Sequence, residues 1–241
     1  MKKLVIPLII ILSFNTNISA QTPVEDQLGS WFTYGGTYKI SDKFSVSNVV
    51  QSWHYEVAQN FNFLFTNIAV NYHVSPKLTT SFSYGWMDID NGFNKVGDHT
   101  YENRLYEQIG YKHKIAKLPI DHRFRLEQRF LDRPVPREDV MHNRFRYRLG
   151  TKVTLNKTFF LRFNNEYIWT IQTKKNDGFD ENRAYGALGI NIFKSANIQV
   201  GYLNRKIKGM NLHRLQFSLF YKADLRSKPQ KIASLNKKTK Q

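Results

Sequence analysis

With 241 residues, no cysteine and a formal net charge of +17, the chain has the length of one domain and no disulfide framework to support it. So basic a chain first points to nucleic acid, but its arginines are spread along alternating stretches and its N-terminus reads as an export signal, which excludes that partner. The anionic head groups and phosphates of a bacterial envelope suit the charge better.

Met1-Lys2-Lys3, the apolar run Leu4 to Leu12, and Ile18-Ser19-Ala20 before Gln21 have the layout of a secretory signal peptide over residues 1–20. The run is too short to cross a bilayer as a helix, and no later stretch approaches the ~20 apolar residues that a helical span needs. Gln21 stands where a lipid-modified protein would have cysteine, so no lipid anchor is expected. Losing Lys2 and Lys3 takes the charge from +17 to +15.

Residues 21–222 read as one all-β domain of alternating stretches separated by turn signals. Leu28 to Ile40 places Phe32, Tyr34, Gly36 and Tyr38 on one face, and Ser41-Asp42-Lys43 turns it. Phe44 to Val57 has a less clean parity, which predicts a bulge near Val49-Val50. After a polar loop at 58–62, Phe63 to Val74 sets Leu64, Ile68, Val70 and Tyr72 against Asn67, Asn71 and His73. Ser75-Pro76-Lys77 is a turn, because proline cannot donate to a ladder. Leu78 to Ile89 then sets Phe82, Tyr84 and Trp86 against Ser81, Ser83 and Gly85.

Asp90 to Tyr101 is a long polar loop. Glu102 to Ile115 puts Arg104, Tyr106, Gln108, Gly110 and Lys112 together, and Ala116 to Asp121 is a turn. The next three stretches carry charge along a whole face. Arg123, Arg125, Glu127 and Arg129 oppose Phe124, Leu126 and Phe130; Arg144, Arg146, Arg148 and Lys152 oppose Phe145, Tyr147, Leu149, Val153 and Leu155. Arg162, Asn164 and Glu166 oppose Leu161, Phe163, Tyr167 and Trp169. Pro134 to His142 and Gln172 to Glu181 are the long connections among them. Arg183 to Phe193, Asn197 to Arg205 and Leu212 to Lys222 complete the series, and residues 223–241 form a basic tail without strand pattern.

One apolar and one polar face fit either a soluble sandwich or a membrane barrel with a watery interior. Export, together with short and long connections in alternation, points to an antiparallel up-and-down transmembrane β-barrel of ten to twelve strands in the bacterial outer membrane. Eleven stretches are recognisable. With the short turns in the periplasm the first strand starts on the outside, although the N-terminus is delivered from the periplasm, so either residues 21–27 cross the lumen or one strand is misread. Single-chain barrels of this kind carry an even number, so ten or twelve is expected, with twelve favoured.

Inside such a barrel, Arg104, Gln108, Arg123, Arg125, Glu127, Arg129, Arg144, Arg146, Arg148, Arg162 and Glu166 form a candidate lumen network, with Glu102 as a further carboxylate. A three-residue turn at 156–158 sets Lys152 opposite Arg162 and Arg148 opposite Glu166, which predicts an Arg148–Glu166 pair. Two readings stay open: a structural network filling a narrow bore, or a path for a small anionic solute. Outer-membrane lipid, lipopolysaccharide and the barrel-assembly machinery are the expected partners.

No catalytic residue is assigned, because no serine or aspartate stands at motif spacing from His54, His99 or His142. An enzyme acting on envelope lipid is the alternative, and His54 or His142 beside a hydroxyl at the membrane rim would favour it. The best local cluster is His142-Asn143 near Glu138 and Asp139. Asp88, Asp90, Asn91 and Gly92 match a calcium loop only in part, so neither metal nor cofactor is expected. Trp31, Trp53, Trp86 and Trp169 read as an interfacial girdle. A soluble periplasmic β-sandwich that binds ligand is the third alternative.

Gly29-Ser30-Trp31, Glu102 to Gln108, His122 to Phe130 and Asn143 to Leu149 resemble the bacterial family called domain of unknown function 2490. Members typical of Bacteroidetes have a similar signal peptide ending in Ala-Gln and a similar strand of the form R-x-R-x-E-x-R. The resemblance covers nearly all of the chain after residue 20. It implies an outer-membrane barrel without assigned activity, and the basic tail departs from the family's pattern.

Overall fold

The computed structural model describes residues 27–92, 97–171, 178–207 and 209–227. The proposed signal peptide, residues 21–26 and most of the basic tail lie outside the described residues.

Eleven strands form one closed barrel. They are β1 (Leu28–Lys39), β2 (Phe44–His54), β3 (Phe61–His73), β4 (Leu78–Asp90), β5 (His99–Ile115) and β6 (Leu118–Asp132). β7 (Val140–Thr154), β8 (Phe159–Ile171), β9 (Gly178–Phe193), β10 (Ala196–Ile207) and β11 (Met210–Asp224) follow. Consecutive strands pair antiparallel, and β1 closes on β11 in parallel, from Leu28 opposite His213 to Lys39 opposite Asp224.

The expectation of an even count is therefore corrected. All twelve residues of β1 find partners on β11, and a parallel ladder satisfies backbone groups as an antiparallel one does. Nothing in the hydrogen bonding forces a twelfth strand. β1 starts at the long-loop end and β11 finishes at the short-turn end, so none of the eleven stretches is misread; a crossing of the lumen by residues 21–27 falls on residues outside the described ones, save Gln27.

The two faces of each strand follow the alternation in the sequence. Ile68, Val70, Phe82, Phe124, Phe163 and Leu188 are exposed on the outside, while Phe65, Asn67, Ser83, Tyr106, Arg144 and Arg146 are buried. Several boundaries differ from the expected ones. Asp121 and Glu181 lie within β6 and β9 instead of in connections, because hairpin pairing continues past the polar residues that look like loop. The bulge expected at Val49-Val50 is absent, and the register shifts at Trp53/His54, Ile168/Trp169 and Ala196/Asn197.

The short-turn end is laced into a continuous rim. The amides of His73, Lys112, Asn191, Lys222 and Leu225 donate to the carbonyls of Lys43, Lys77, Thr158, Ser195 and Lys39, which ties most turns to the neighbouring hairpin.

Candidate functional site

The barrel encloses a cavity of about 1160 Å³ with two unlike walls. β1 to β4 with β10 and β11 contribute small neutral groups, among them Thr33, Gly35, Ser47, Gln51, Asn67, Asn71, Gln199 and Gln216. β5 to β9 contribute most of the arginines. Gln108 and Tyr106 mark the seam, where Arg125 donates to Gln108 Oε1 at 2.8 Å and lies 3.9 Å over the Tyr106 ring.

Carboxylates organise the arginine wall as hubs. Glu127, fully buried, accepts from Arg144 at 2.6 Å and Arg146 at 2.7 Å, with Arg125 at 3.4 Å and Arg104 at 3.7 Å. Glu102, also fully buried, holds Arg104 at 2.5 Å and Arg129 at 2.6 Å. Glu166 accepts a two-pronged bond from Arg146, at 3.1 and 2.7 Å, and a second bond from Arg123. Such forked, charge-assisted bonds hold their geometry more firmly than neutral ones.

The register predicted for the turn at 156–158 holds: Arg148 stands opposite Glu166 and Lys152 opposite Arg162. The ion pair read from it does not form. Arg146 and Arg123 occupy Glu166 from neighbouring positions, and Arg148 instead makes one 3.4 Å contact with Asp121, whose oxygens Arg162 already holds at 2.6 and 2.9 Å. Gly150 makes room there, since a Cβ would lie 2.7 Å from both Arg162 and Asp121. Arg148 is thus the weakly partnered member, and its Nε is buried without a hydrogen-bond partner among the described residues.

Five further ionic groups point inward that the candidate network lacks: Asp121, Glu181 and Arg183, with Arg205 on β10 and Arg214 on β11. Asp121 and Glu181 read as parts of connections in the sequence. Glu181 is buried and binds Arg183 and Arg205 together, with Arg183 Nη2 at 2.9 Å. The signal was present, because Glu181-Asn182-Arg183 repeats Glu102-Asn103-Arg104, and in both the carboxylate and the arginine two residues on form a pair. Arg214, 1% exposed, bonds the His213 carbonyl at 2.8 Å and has no carboxylate partner among the described residues.

Two tryptophans expected in an interfacial girdle lie inside instead. Trp31 and Trp53 pack on each other, with Arg183 and Arg205 over the Trp53 ring at 5.2 and 4.6 Å. Their odd positions share the inward parity of Thr33 and Gln51. Trp86 and Trp169 remain on the outer face, stacked on Tyr101 and Tyr167.

His54 does sit beside a hydroxyl, with Nε2 3.0 Å from Ser52 Oγ at the long-loop end. Its Nδ1 has no hydrogen-bond partner among the described residues, so no third group orients the ring. His99 bonds Asp88 at 2.6 Å. No group of three or more potential metal ligands occurs among the described residues.

A family model described as protein of unknown function (DUF2490) matches residues 28–216, from the first residue of β1 into β11. The chain belongs to this family. The matched span takes in ten whole strands and both walls of the cavity, so the DUF2490 region and the barrel are nearly the same object. No curated protein and no solved structure matches the chain.

Proposed function

We propose that this DUF2490 member is a bacterial outer-membrane barrel whose lumen binds and passes small anionic solutes. The membrane reading is supported by the outer surface, where Ile68 and Phe82, each 55% exposed, belong to an apolar belt that runs around the strands. Water-soluble monomers rarely expose apolar patches beyond a few hundred Å². A closed barrel leaves no unpaired strand edge, which is the condition for β-structure in lipid. No helix of the described residues is long and apolar enough to cross a membrane. Outer-membrane lipid, lipopolysaccharide and the barrel-assembly machinery are the partners this reading entails.

The anion reading is carried by one observation: eleven arginines and three acids line the cavity. Arg104, Arg123, Arg125, Arg129, Arg144, Arg146, Arg148, Arg162, Arg183, Arg205 and Arg214 all line the cavity. Glu102 and Glu127 are 0% exposed, which leaves Glu166, Asp180 and Glu181 as the lining acids. A solute carboxylate or phosphate entering the cavity meets guanidinium donors already aimed and desolvated.

Single-channel conductance of the refolded protein across a salt gradient tests this. Anion-selective steps are expected. A correctly inserted but silent barrel would make the arginines a structural plug and overturn the transport reading.

A second reading attaches to Ser52 and His54, where the 3.0 Å contact gives a nucleophile and a base on the outer face. Labelling by a fluorophosphonate that Ser52→Ala abolishes would establish an esterase acting on envelope lipid. Absence of labelling removes that reading.

A further inference from the structure

The five turns at one end of the barrel share one feature. Each holds an exposed lysine: Lys43 between β1 and β2, Lys77 between β3 and β4, Lys117 between β5 and β6, Lys157 between β7 and β8, and Lys194 between β9 and β10. The acids near that rim are already bound by arginine, Asp42 and Asp224 by Arg226 and Asp121 by Arg162. At the other end, among the described residues, the exposed acids Asp98, Asp132, Glu138 and Asp139 stand with the exposed bases Arg137 and Lys206.

The apolar belt runs up to the lysines. Phe44 (43% exposed), Tyr72 (36%), Ile115 (61%), Phe159 (38%) and Phe193 (70%) stand next to the five turns. Towards the long loops the outer face mixes amides with apolar groups: Asn182 bonds Asn165 at 2.5 Å and Asn204 bonds Asn211 at 2.7 Å, and Phe130 (43%), Met141 (51%) and Phe179 (58%) are exposed there too. What sets the short-turn end apart is the lysine in each of its turns.

We infer that the short-turn rim is a binding surface for anionic phospholipid head groups, with one lysine per hairpin reaching a phosphate in the adjoining leaflet. This rests on the membrane reading given above. An ammonium on a flexible stem suits a head group whose position varies, whereas a forked guanidinium suits a fixed one, and the rim and the lumen are divided in that way. An acidic soluble protein would meet the charge but not the aromatic and aliphatic side chains between the lysines, which need hydrocarbon beside them. Backbone ties between hairpins hold the turns in place, so the lysines act together at the surface of one leaflet.

The test is to reconstitute the full chain into phosphatidylcholine vesicles with and without phosphatidylglycerol and to weigh, by native mass spectrometry, the lipid that stays bound on extraction. Phosphatidylglycerol is expected to be enriched several-fold. The enrichment should vanish in the variant carrying K43Q, K77Q, K117Q, K157Q and K194Q, and should persist when R137Q and K206Q alter the opposite rim. Equal enrichment in wild type and the five-lysine variant, both inserted and heat-shifted on gels, overturns the inference and leaves the membrane reading standing. Failure of the wild type to enter either kind of vesicle overturns both.

Discussion

The two walls of the lumen are built from the same strand geometry and yet solve burial in different ways. On β1 to β4 the inward groups are uncharged, with Trp31, Trp53, Phe65 and Met87 among hydroxyls and amides that bond locally, as when Asn67 donates to Ser83 at 2.9 Å and to Tyr106 at 2.5 Å. On β5 to β9 the inward groups are ions, and each carboxylate spans two or more strands, as Glu127 on β6 does with Arg104 on β5 and Arg146 on β7. A neutral wall tolerates the loss of a partner, because a stranded hydroxyl costs little beside a polar cavity. A charged wall does not, because removal of one hub leaves several ions without compensation. One half of the barrel is thus loosely specified and the other is held by a few residues.

Glu127→Gln strikes the comparison hardest. Loss of that hub should cost on the order of 3–5 kcal/mol, the scale for breaking a buried ion pair, seen as a lower urea midpoint for unfolding of the refolded barrel. A shift no larger than that of a neutral-wall variant would mean that the walls do not differ. Phe163→Arg tests the proposed lipid contact on the charged side: on the membrane reading an arginine on the outer face near the midplane costs about 2–4 kcal/mol, and the heat-shifted, assembled form should be lost. Normal assembly in membranes would mean that this part of the outer face does not meet lipid.

Asn67→Ala probes the neutral wall, where removal of two hydrogen bonds is expected to cost roughly 1–2 kcal/mol in the same urea experiment and to leave ion selectivity alone. Arg148→Gln is the mildest change to folding, because a single 3.4 Å contact to Asp121 is what it removes; the expected loss is under about 1 kcal/mol. Its effect should appear as a reversal potential shifted toward weaker anion preference. A large loss of stability with unchanged selectivity would assign Arg148 to the frame and not to the solute.

Much of this was legible beforehand. Arg123, Arg125, Glu127 and Arg129, and equally Arg144, Arg146 and Arg148, share a face by parity alone, and the turn at 156–158 set the β7–β8 register correctly. Partner choice was not legible. Arg148 faces Glu166 across the ladder, but a guanidinium on a long side chain reaches diagonal neighbours as easily, and Arg146 and Arg123 took the carboxylate. The inward place of Trp31 and Trp53 is not legible from residue type, because a tryptophan's amphipathic ring suits either an interface or a polar lumen; only their shared parity with Thr33 and Gln51 points inside. Glu181 was missed because Asp180, Glu181 and Asn182 look like loop until β9 is seen to pair with β8 and β10 through them.

The sequence by itself determined the all-β class, the two faces of most strands, most of the turns, and the parity that puts the arginines of β5 to β8 on one face. These depend on a period of two and on turn residues, which are local properties of the chain. Only the tertiary structure decided that eleven strands suffice, that β1 closes in parallel on β11, which arginine meets which carboxylate, and that Glu102 and Glu127 are buried while eleven arginines line the cavity. Closure and ion pairing bring together residues far apart in the chain, and no local pattern carries that information.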